Sequence, residues 1–287
     1  RQARAILRDF RPDLVVGTGG YASYPMVKAA ARAHLPTAVH ESNMVPGLTT
    51  KMLENYADVI MVGFEDCRQH YKHPERIAVT GTPVRGDFFR LSREEARKKL
   101  GFDDEAPLVV SFWGSLGASH MNECMVDFFR REDAEGYPFR HIHAVGKGGW
   151  EAMEQKLREL ELPKSDRLDV RQYIYDMDVV MAAADVVLCR AGASTISELT
   201  ALGKPTVMVP SPYVTNNHQE KNARLLEKHG GVVITEPEST GDGLYKAVEA
   251  ILSDNEKRTS MARAMKELGI PDATARIYDT VMALVRK

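Results

Sequence analysis

The chain has 287 residues, of which 44% are hydrophobic and 27% charged, and its formal net charge is −2. This length is sufficient for two α/β domains with separate cores, and the charge balance gives no reason to expect a nucleic-acid partner. The three cysteines form no CxxC pair, which is typical of a reduced cytoplasmic protein, and no apolar run approaches the roughly 20 residues of a membrane span, so membrane contact is expected to be peripheral.

The first part of the chain alternates strand and helix patterns. Residues 1–10 predict a helix that leads into a strand at 14–16. Further strands are predicted at 37–39, 59–62 and 77–79, with helices at 23–34 and 47–56. A linker with one proline and two glycines is predicted at 81–91.

The second part repeats this alternation. Strands are predicted at 108–112, 141–145, 186–189, 206–209 and 232–234, and a last helix at 272–285. The pattern indicates an α/β fold with two Rossmann-like domains that face each other across a cleft. We expect domains at 1–86 and 87–270, followed by a C-terminal helix at 271–287. The family resemblance described below implies that this helix returns to the first domain.

Glycines follow the first predicted strand, and this turn has two interpretations. Gly17-x-Gly19-x-x-Ala22, with Glu41 closing the next strand, matches a dinucleotide fingerprint and would indicate an NAD-dependent oxidoreductase. Alternatively, Gly19 and Gly20 let the backbone approach a diphosphate, with Tyr21 beside it.

Polar residues also follow the second predicted strand. His40, Glu41 and Asn43 lie at its carboxyl end, where open α/β sheets place their chemistry. His40 and Glu41 are candidates for removing a proton from an acceptor hydroxyl, or they form a buried structural pair. Arg85 is either a phosphate ligand or an exposed linker charge, and Ser115 either caps a helix or meets a phosphate.

The segment 184–223 carries the clearest ligand signal. Arg190, Gly192 and Ser194 break the strand at 186–189, and a helix follows whose free N–H groups suit a diphosphate. Thr195 and Glu198 have capping-box spacing. Glu198 therefore either closes that box or accepts hydrogen bonds from a ribose diol.

A cluster of polar side chains, most of them amides, lies at the start of the next helix: Asn216, Asn217, His218, Gln219 and Asn222. Such groups suit sugar hydroxyls and an acetamido group, although amides also cap helices. Asp176-x-Asp178 superficially matches a metal-binding pattern, but a helix is predicted from residue 177, which favours capping by Asp176. We expect no metal held by the protein.

These motifs resemble those of the MurG family, the N-acetylglucosaminyltransferases that act on the lipid-linked muramyl-pentapeptide precursor of bacterial cell wall. The donor-site matches are Arg190-Ala-Gly-Ala-Ser-Thr-Ile-Ser-Glu198, Gly203-x-Pro205 and His218-Gln219-x-x-Asn222-Ala223. Further matches follow the family's order: Gly17-Thr-Gly-Gly-Tyr-Ala-Ser23, His40-Glu-Ser-Asn43, Gly81-Thr-Pro-Val-Arg85, Gly114-Ser-Leu-Gly-Ala118 and Tyr173-Ile174-Tyr175-Asp176-Met177. The resemblance covers essentially the whole chain.

The resemblance implies a GT-B architecture and a metal-independent, inverting transfer of N-acetylglucosamine from UDP-N-acetylglucosamine to a lipid-linked muramyl-peptide. It implies an acceptor and membrane-side domain at 1–86, a donor domain at 87–270, and a location at the cytoplasmic face of the bacterial membrane. Implied donor contacts are Asn43, Arg85, Ser115, Ile174, Arg190, Ala193, Ser194, Thr195, Ile196, Ser197, Glu198 and Gln219. Implied acceptor contacts are Gly19, Gly20 and Tyr21, with His40 and Glu41 as catalytic candidates.

Three departures from the family pattern affect these expectations. Trp113 and Leu116 alter the third loop, and Tyr24 stands where the second loop is usually small. The family also opens with an earlier glycine-rich loop that bears a histidine, so the first domain is expected to be incomplete here. A UDP-sugar epimerase, a related glycolipid transferase and a nucleotide-sugar-binding subunit without turnover remain alternatives.

Overall fold

The computed structural model describes residues 1–114, 118–161, 165–236 and 239–286 and contains two parallel β-sheets covered by helices. The strands are β1 (Val15–Gly17), β2 (Thr37–Glu41), β3 (Val59–Val62), β4 (Ile77–Val79), β5 (Leu108–Phe112), β6 (Arg140–Ala144), β7 (Leu168–Arg171), β8 (Val186–Cys189), β9 (Thr206–Met208) and β10 (Val232–Ile234). The helices are α1 (Gln2–Phe10), α2 (Gly20–Arg32), α3 (Leu48–Leu53), α4 (Arg93–Lys99), α5 (Ser119–Ala134), α6 (Trp150–Leu160), α7 (Met177–Ala183), α8 (Ala193–Leu202), α9 (His218–Lys228), α10 (Gly241–Leu252), α11 (Asn255–Leu268) and α12 (Ala273–Val285). The predicted α/β class with two parallel-sheet domains is confirmed.

The first sheet has the order β1-β2-β3-β4. The register pairs Val15 with Thr37, and it pairs His40 and Glu41 with Met61 and Val62. Strand β2 therefore runs two residues further than predicted. Because the strands are parallel, the loops after β1 and β2 leave the same edge of the sheet.

The second sheet has the order β10-β9-β8-β5-β6-β7. Strands β5 and β8 pair centrally, and β8 is buried along its whole length, as its apolar run predicts. The edge strand β7 is absent from the sequence prediction. Its residues Leu-Asp-Val-Arg alternate in polarity and stay partly exposed, so they form no apolar run.

The segment after β4 packs against the segment before α12. Gly81, in the first segment, has φ +79°, and a Cβ there would lie 2.8 Å from the Cβ atoms of Ile270 and Ala273. Gly269, in the second segment, lies against the carbonyl of Thr200 in α8, where a Cβ would clash. Only glycine permits this approach. The boundaries at residues 86 and 270 stay predictions.

No described helix has the length and apolar character needed to cross a membrane.

Candidate nucleotide-sugar site

The turn between β8 and α8 presents an uncapped helix N-terminus. The N-cap residue is Gly192, and no described side chain accepts a hydrogen bond from the first backbone N–H groups of the ten-residue helix. The predicted capping box of Thr195 and Glu198 is wrong, because α8 begins at Ala193, two residues before Thr195. The first backbone N–H groups of α8 are thus available to an anion.

The first turn of α8 divides its predicted donor residues into exposed and buried ones. Ser194 is exposed, and Ala193 and Thr195 are partly so. Ile196 and Ser197 are buried, and the Ser197 hydroxyl donates to the Ala193 carbonyl at 3.1 Å. The Ile196 N–H donates to the Gly192 carbonyl at 2.9 Å, so the backbone donors open to a ligand are those of residues 193–195. The donor contacts of Ile196 and Ser197 stay predictions.

Glu198 presents a carboxylate that is not engaged by the described part of the protein. It accepts no hydrogen bond from any described residue, although it is partly buried. Burial raises the pKa of Glu198, while the nearby positive charge of Arg85 lowers it. A structural carboxylate would accept hydrogen bonds from the protein, whereas the oxygens of Glu198 have no donor among the described residues. This arrangement favours a carboxylate that accepts from two hydroxyl groups of a ligand.

The guanidinium of Arg85 is exposed and lies over the Phe88 ring, 4.9 Å from its centroid. Its charge acts on Glu198 across the two domains.

Arg190 connects the β8–α8 turn to the end of β9 through hydrogen bonds. Its Nη1 donates to the carbonyls of Val209 and Pro210, both at 3.0 Å, and burial lowers the pKa of the guanidinium. These bonds fix the end of β9 beside the turn. The observed contacts of Arg190 are structural, and its direct contact with the donor stays a prediction.

Gln219 lies in the first turn of α9, and its side-chain oxygen accepts from the Ser211 backbone N–H at 2.8 Å. Its amide nitrogen has no partner among the residues that the structure describes. The side chain is thus held at one end and offers two N–H donors at the other.

The side chain of Ile174 is buried, so this residue can meet a nucleobase only through its backbone. The neighbouring rings of Tyr173 and Tyr175 lie with centroids 5.0 Å apart. Asp176 makes no capping hydrogen bond to α7, contrary to prediction. It accepts instead from Arg171 Nη1 at 2.9 Å.

Within the described ranges, no three His, Cys, Asp or Glu side chains are grouped as metal ligands.

Glu41 is buried and accepts four hydrogen bonds. They come from the backbone N–H and side-chain Nδ2 of Asn43, both at 3.1 Å, from the Gly47 N–H at 3.0 Å and from the Thr50 hydroxyl at 2.6 Å. These contacts hold Asn43, Gly47 and Thr50 around the carboxylate at the end of β2. They favour a positioning role for Glu41, and its assignment as a base stays a prediction.

His40 is half-buried and directs Nε2 at the Gly81 carbonyl, 3.0 Å away. Because a carbonyl oxygen only accepts, Nε2 carries the proton. In the neutral ring, Nδ1 is then an acceptor, the form that a general base requires.

The predicted acceptor turn has the geometry that its glycines allow. Gly19 and Gly20 have φ values of +88° and +73°, and nothing lies within 4 Å of the Cβ position of either. Their conformation, rather than crowding, requires glycine. Tyr21 is 96% exposed beside them, and the hydroxyl of Tyr24 pairs with Lys28 Nζ at 2.6 Å.

The structure describes the third loop only in part. Ser115 and Leu116 lie outside the described residues, whereas Trp113 is buried in the second domain's core.

Asn222 is a functional candidate that the sequence ranked only as part of an amide cluster. It is 1% exposed and bonds to both domains, to the Met44 backbone and to the Ala191 carbonyl. Its position three residues after Gln219 was the available signal, since this spacing puts both on one helix face.

Comparison with known proteins decides the family. Residues 108–277 match the glycosyltransferase family 28 C-terminal domain, and residues 1–62 match the N-terminal domain of the same family. A UDP-N-acetylglucosamine--N-acetylmuramyl-(pentapeptide) pyrophosphoryl-undecaprenol N-acetylglucosamine transferase of Acetivibrio thermocellus is 43% identical over 99% of this chain and 76% of its own length. The protein of the same description from Listeria monocytogenes is 39% identical over 100% of this chain and 78% of its own. The chain belongs to the MurG family.

Solved structures agree with this placement. The crystal structure of Acinetobacter baumannii MurG has a TM-score of 0.79 and 26% identity, and the alignment covers 98% of this chain and 77% of that one. A structure of S. aureus MnaA with UDP has a TM-score of 0.72 at 15% identity, covers 100% and 80% of the two chains, and shows a shared fold alone.

Membership of the MurG family makes the chain a glycosyltransferase and rules out the oxidoreductase alternative. The structure supplies the physical reason. Glu41, which the dinucleotide fingerprint would assign to a ribose hydroxyl, has its carboxylate occupied by four donors of the protein itself.

Proposed function

We propose that this chain transfers N-acetylglucosamine from UDP-N-acetylglucosamine to the lipid-linked N-acetylmuramyl-pentapeptide, the step from lipid I to lipid II in peptidoglycan synthesis. The observation that carries the proposal is the β8–α8 turn, where an uncapped helix start and a carboxylate without a donor lie one turn apart. The relatives at 37–43% identity bear names that state this reaction.

In the proposed complex, the donor lies along the carboxyl edge of the second sheet. Its diphosphate meets the N–H groups at the start of α8 and the charge of Arg85. Glu198 accepts from the ribose hydroxyls, the Ile174 backbone meets uracil and the free amide of Gln219 meets the sugar. Ser115 and Asn43 are further proposed donor contacts.

The chemical step is a single displacement at the anomeric carbon. The acceptor hydroxyl oxygen forms the new bond, the bond to the UDP oxygen breaks and the configuration inverts. His40 Nδ1 takes the acceptor proton, since Nε2 is held by Gly81. The departing diphosphate charge is stabilised by the α8 N-terminus, while the Gly19–Gly20 turn and Tyr21 hold the acceptor diphosphate.

The proposal is tested with purified chain, UDP-N-acetylglucosamine labelled in the sugar, and lipid-linked muramyl-pentapeptide. Label should move to the lipid product. Interconversion of the UDP-sugar without acceptor would instead indicate an epimerase, and transfer only to another glycolipid would change the acceptor. Donor binding without either product would leave a binding subunit.

Replacing Glu198 with Ala should weaken UDP binding by about 1–3 kcal/mol, because one or two hydroxyl contacts are lost. Calorimetry with UDP measures this effect. Glu198→Gln, which keeps one acceptor oxygen, is the matched control and should lose less. If UDP affinity in the folded Ala variant equals that of the unaltered chain, Glu198 does not contact the ribose.

We also propose that the protein binds membranes peripherally, since its acceptor is lipid-linked and the described helices include no span. The protein should sediment with anionic vesicles at low salt and be released at high salt, because charge attraction is screened. Neutral vesicles of equal size are the control. Retention that only detergent reverses would argue against this mode of binding.

A further inference from the structure

We infer that Asn222 is a positioning residue that couples occupation of the donor site to the order of the catalytic loop, residues 42–50. This inference rests on the proposed function. It concerns how the two substrates influence each other, which neither the site geometry nor the relatives' names assign.

The side chain of Asn222 is shared between the domains. Its Oδ1 accepts from the Met44 backbone N–H at 3.0 Å, and its Nδ2 donates to the Ala191 carbonyl at 3.2 Å and to Asn43 Oδ1 at 3.4 Å. Met44 lies 178 residues away in sequence and is also buried. A buried amide with both ends engaged fixes the relative position of the groups it joins.

On the donor side, Asn222 bonds to one part of the proposed ligand site and shares a helix with another. Ala191 belongs to the turn between β8 and α8 that receives the diphosphate. Gln219, three residues before Asn222 on α9, is the proposed sugar contact. A donor that orders this turn and the start of α9 therefore orders both supports of the Asn222 amide.

On the acceptor side, the bonds continue into the catalytic loop. Asn43 and Met44 begin this loop, and Glu41 holds the rest of it through Gly47 and Thr50. His40 precedes Glu41 on β2. The chain of contacts thus runs from the donor turn through Asn222 to the residues beside the proposed base.

A second contact between α9 and the first domain provides a control. His229 Nε2 lies 3.1 Å and Lys228 Nζ 3.8 Å from Asp66 Oδ2, and the three side chains are 38%, 72% and 30% exposed. Exposed pairs of this kind contribute little, because water screens them. Asp66→Asn therefore weakens an interdomain contact of the same helix without touching Asn222.

The thermodynamic consequence is reciprocal. If donor and acceptor both favour the ordered catalytic loop, each must raise the affinity of the other by the same factor. We expect a factor of about five or more in the unaltered chain, at the lower end of typical coupling. The factor by which acceptor raises nucleotide affinity should approach one in Asn222→Ala, because Met44 and Ala191 lose their shared hydrogen-bond partner.

The test combines hydrogen exchange with calorimetry on the full chain. Saturating UDP-N-acetylglucosamine should slow exchange in residues 45–50 of the unaltered chain and of Asp66→Asn, but not of Asn222→Ala; residues 43 and 44 are left out because Asn43 is a proposed donor contact and the Met44 N–H bonds to Asn222 itself. Asn222→Asp keeps the acceptor for Met44 but places an oxygen against the Ala191 carbonyl, so it should also lose the effect. Lipid acceptor should raise UDP affinity about fivefold or more in the unaltered chain and in the Asp66→Asn control, but not in the two Asn222 variants.

The outcomes separate the two proposals. Donor-dependent protection that persists in a folded Asn222→Ala variant would overturn the inference, as would a loop whose exchange is unaffected by donor in the unaltered chain. Absence of UDP-N-acetylglucosamine binding to the unaltered chain would overturn the proposed function and this inference together. Loss of coupling in both Asn222 variants, with UDP still bound, supports the inference.

Discussion

Replacing His40 with Gln should lower the rate of sugar transfer by about 10²–10⁴, the usual contribution of a positioned general base. The glutamine amide nitrogen can take the place of Nε2 and keep donating to the Gly81 carbonyl, 3.0 Å from Nε2 in the structure. Nothing replaces the acceptor Nδ1. The measurement is kcat for transfer at saturating donor and acceptor.

The split between kcat and KM distinguishes loss of the base from a local distortion. Loss of the base should lower kcat while KM for donor and acceptor stays close to that of the unaltered chain, because His40 is not among the proposed contacts of either diphosphate. UDP affinity is the control, because His40 is not among the proposed donor contacts. A variant that transfers at nearly the rate of the unaltered chain would assign proton removal elsewhere.

Replacing His141 with Ala should lower the free energy of unfolding by about 3–5 kcal/mol, because it leaves a buried carboxylate without its partner. His141 Nδ1 lies 2.8 Å from Glu132 Oε1, and its Nε2 lies 2.7 Å from Ser111 Oγ, which also bonds to His143 Nδ1 at 2.6 Å. All four side chains are at most 1% exposed. Urea unfolding followed by tryptophan fluorescence measures the effect in this domain, since both tryptophans, Trp113 and Trp150, lie in it.

The matched control is Glu132→Gln, which keeps an acceptor for His141 Nδ1 without a charge and should cost far less. It also changes the dependence on pH. Burial raises the pKa of Glu132 above 4.5 and lowers the pKa of His143 well below 6.5. As pH rises from 4.5 to 6.5, the Glu132 shift lowers stability while the His143 shift increases it.

Without the Glu132 carboxyl, only the His143 effect of this pair remains. The unfolding free energy of Glu132→Gln should therefore increase with pH over this window more steeply than that of the unaltered chain. The difference reaches at most about 1.4 kcal/mol per pH unit. Parallel curves for the two proteins would show that Glu132 titrates normally.

Most strands were predictable because a strand that is buried on both faces consists of a continuous run of apolar residues. The apolar runs of β3, β5 and β8 gave their observed bounds, whereas the amphipathic edge strand β7 gave no such run. The start of α8 was misplaced because Thr195 and Glu198 have capping-box spacing. The helix begins at Ala193, and its N-cap residue Gly192 has no side chain to cap it.

The contacts of the candidate site could not be read in the same way. Sequence placed His40 and Glu41 at a strand end, but not the Gly81 carbonyl, 41 residues away, that sets the histidine tautomer. Nor did the sequence reveal that the Glu41 carboxylate accepts hydrogen bonds from Asn43, Gly47 and Thr50. Periodicity reports which face of an element is buried, whereas these bonds depend on how separate elements meet in space.

The close approach at Gly81 also bears on how the proposed base is held. A Cβ at this residue would lie 2.8 Å from the Cβ atoms of Ile270 and Ala273, so even one methyl group would push the two segments apart. Because the Gly81 carbonyl also accepts from His40 Nε2, such a displacement would move the acceptor that sets the tautomer of the histidine. A glycine that makes no contact with a substrate thus controls the direction in which the proposed base presents its free nitrogen.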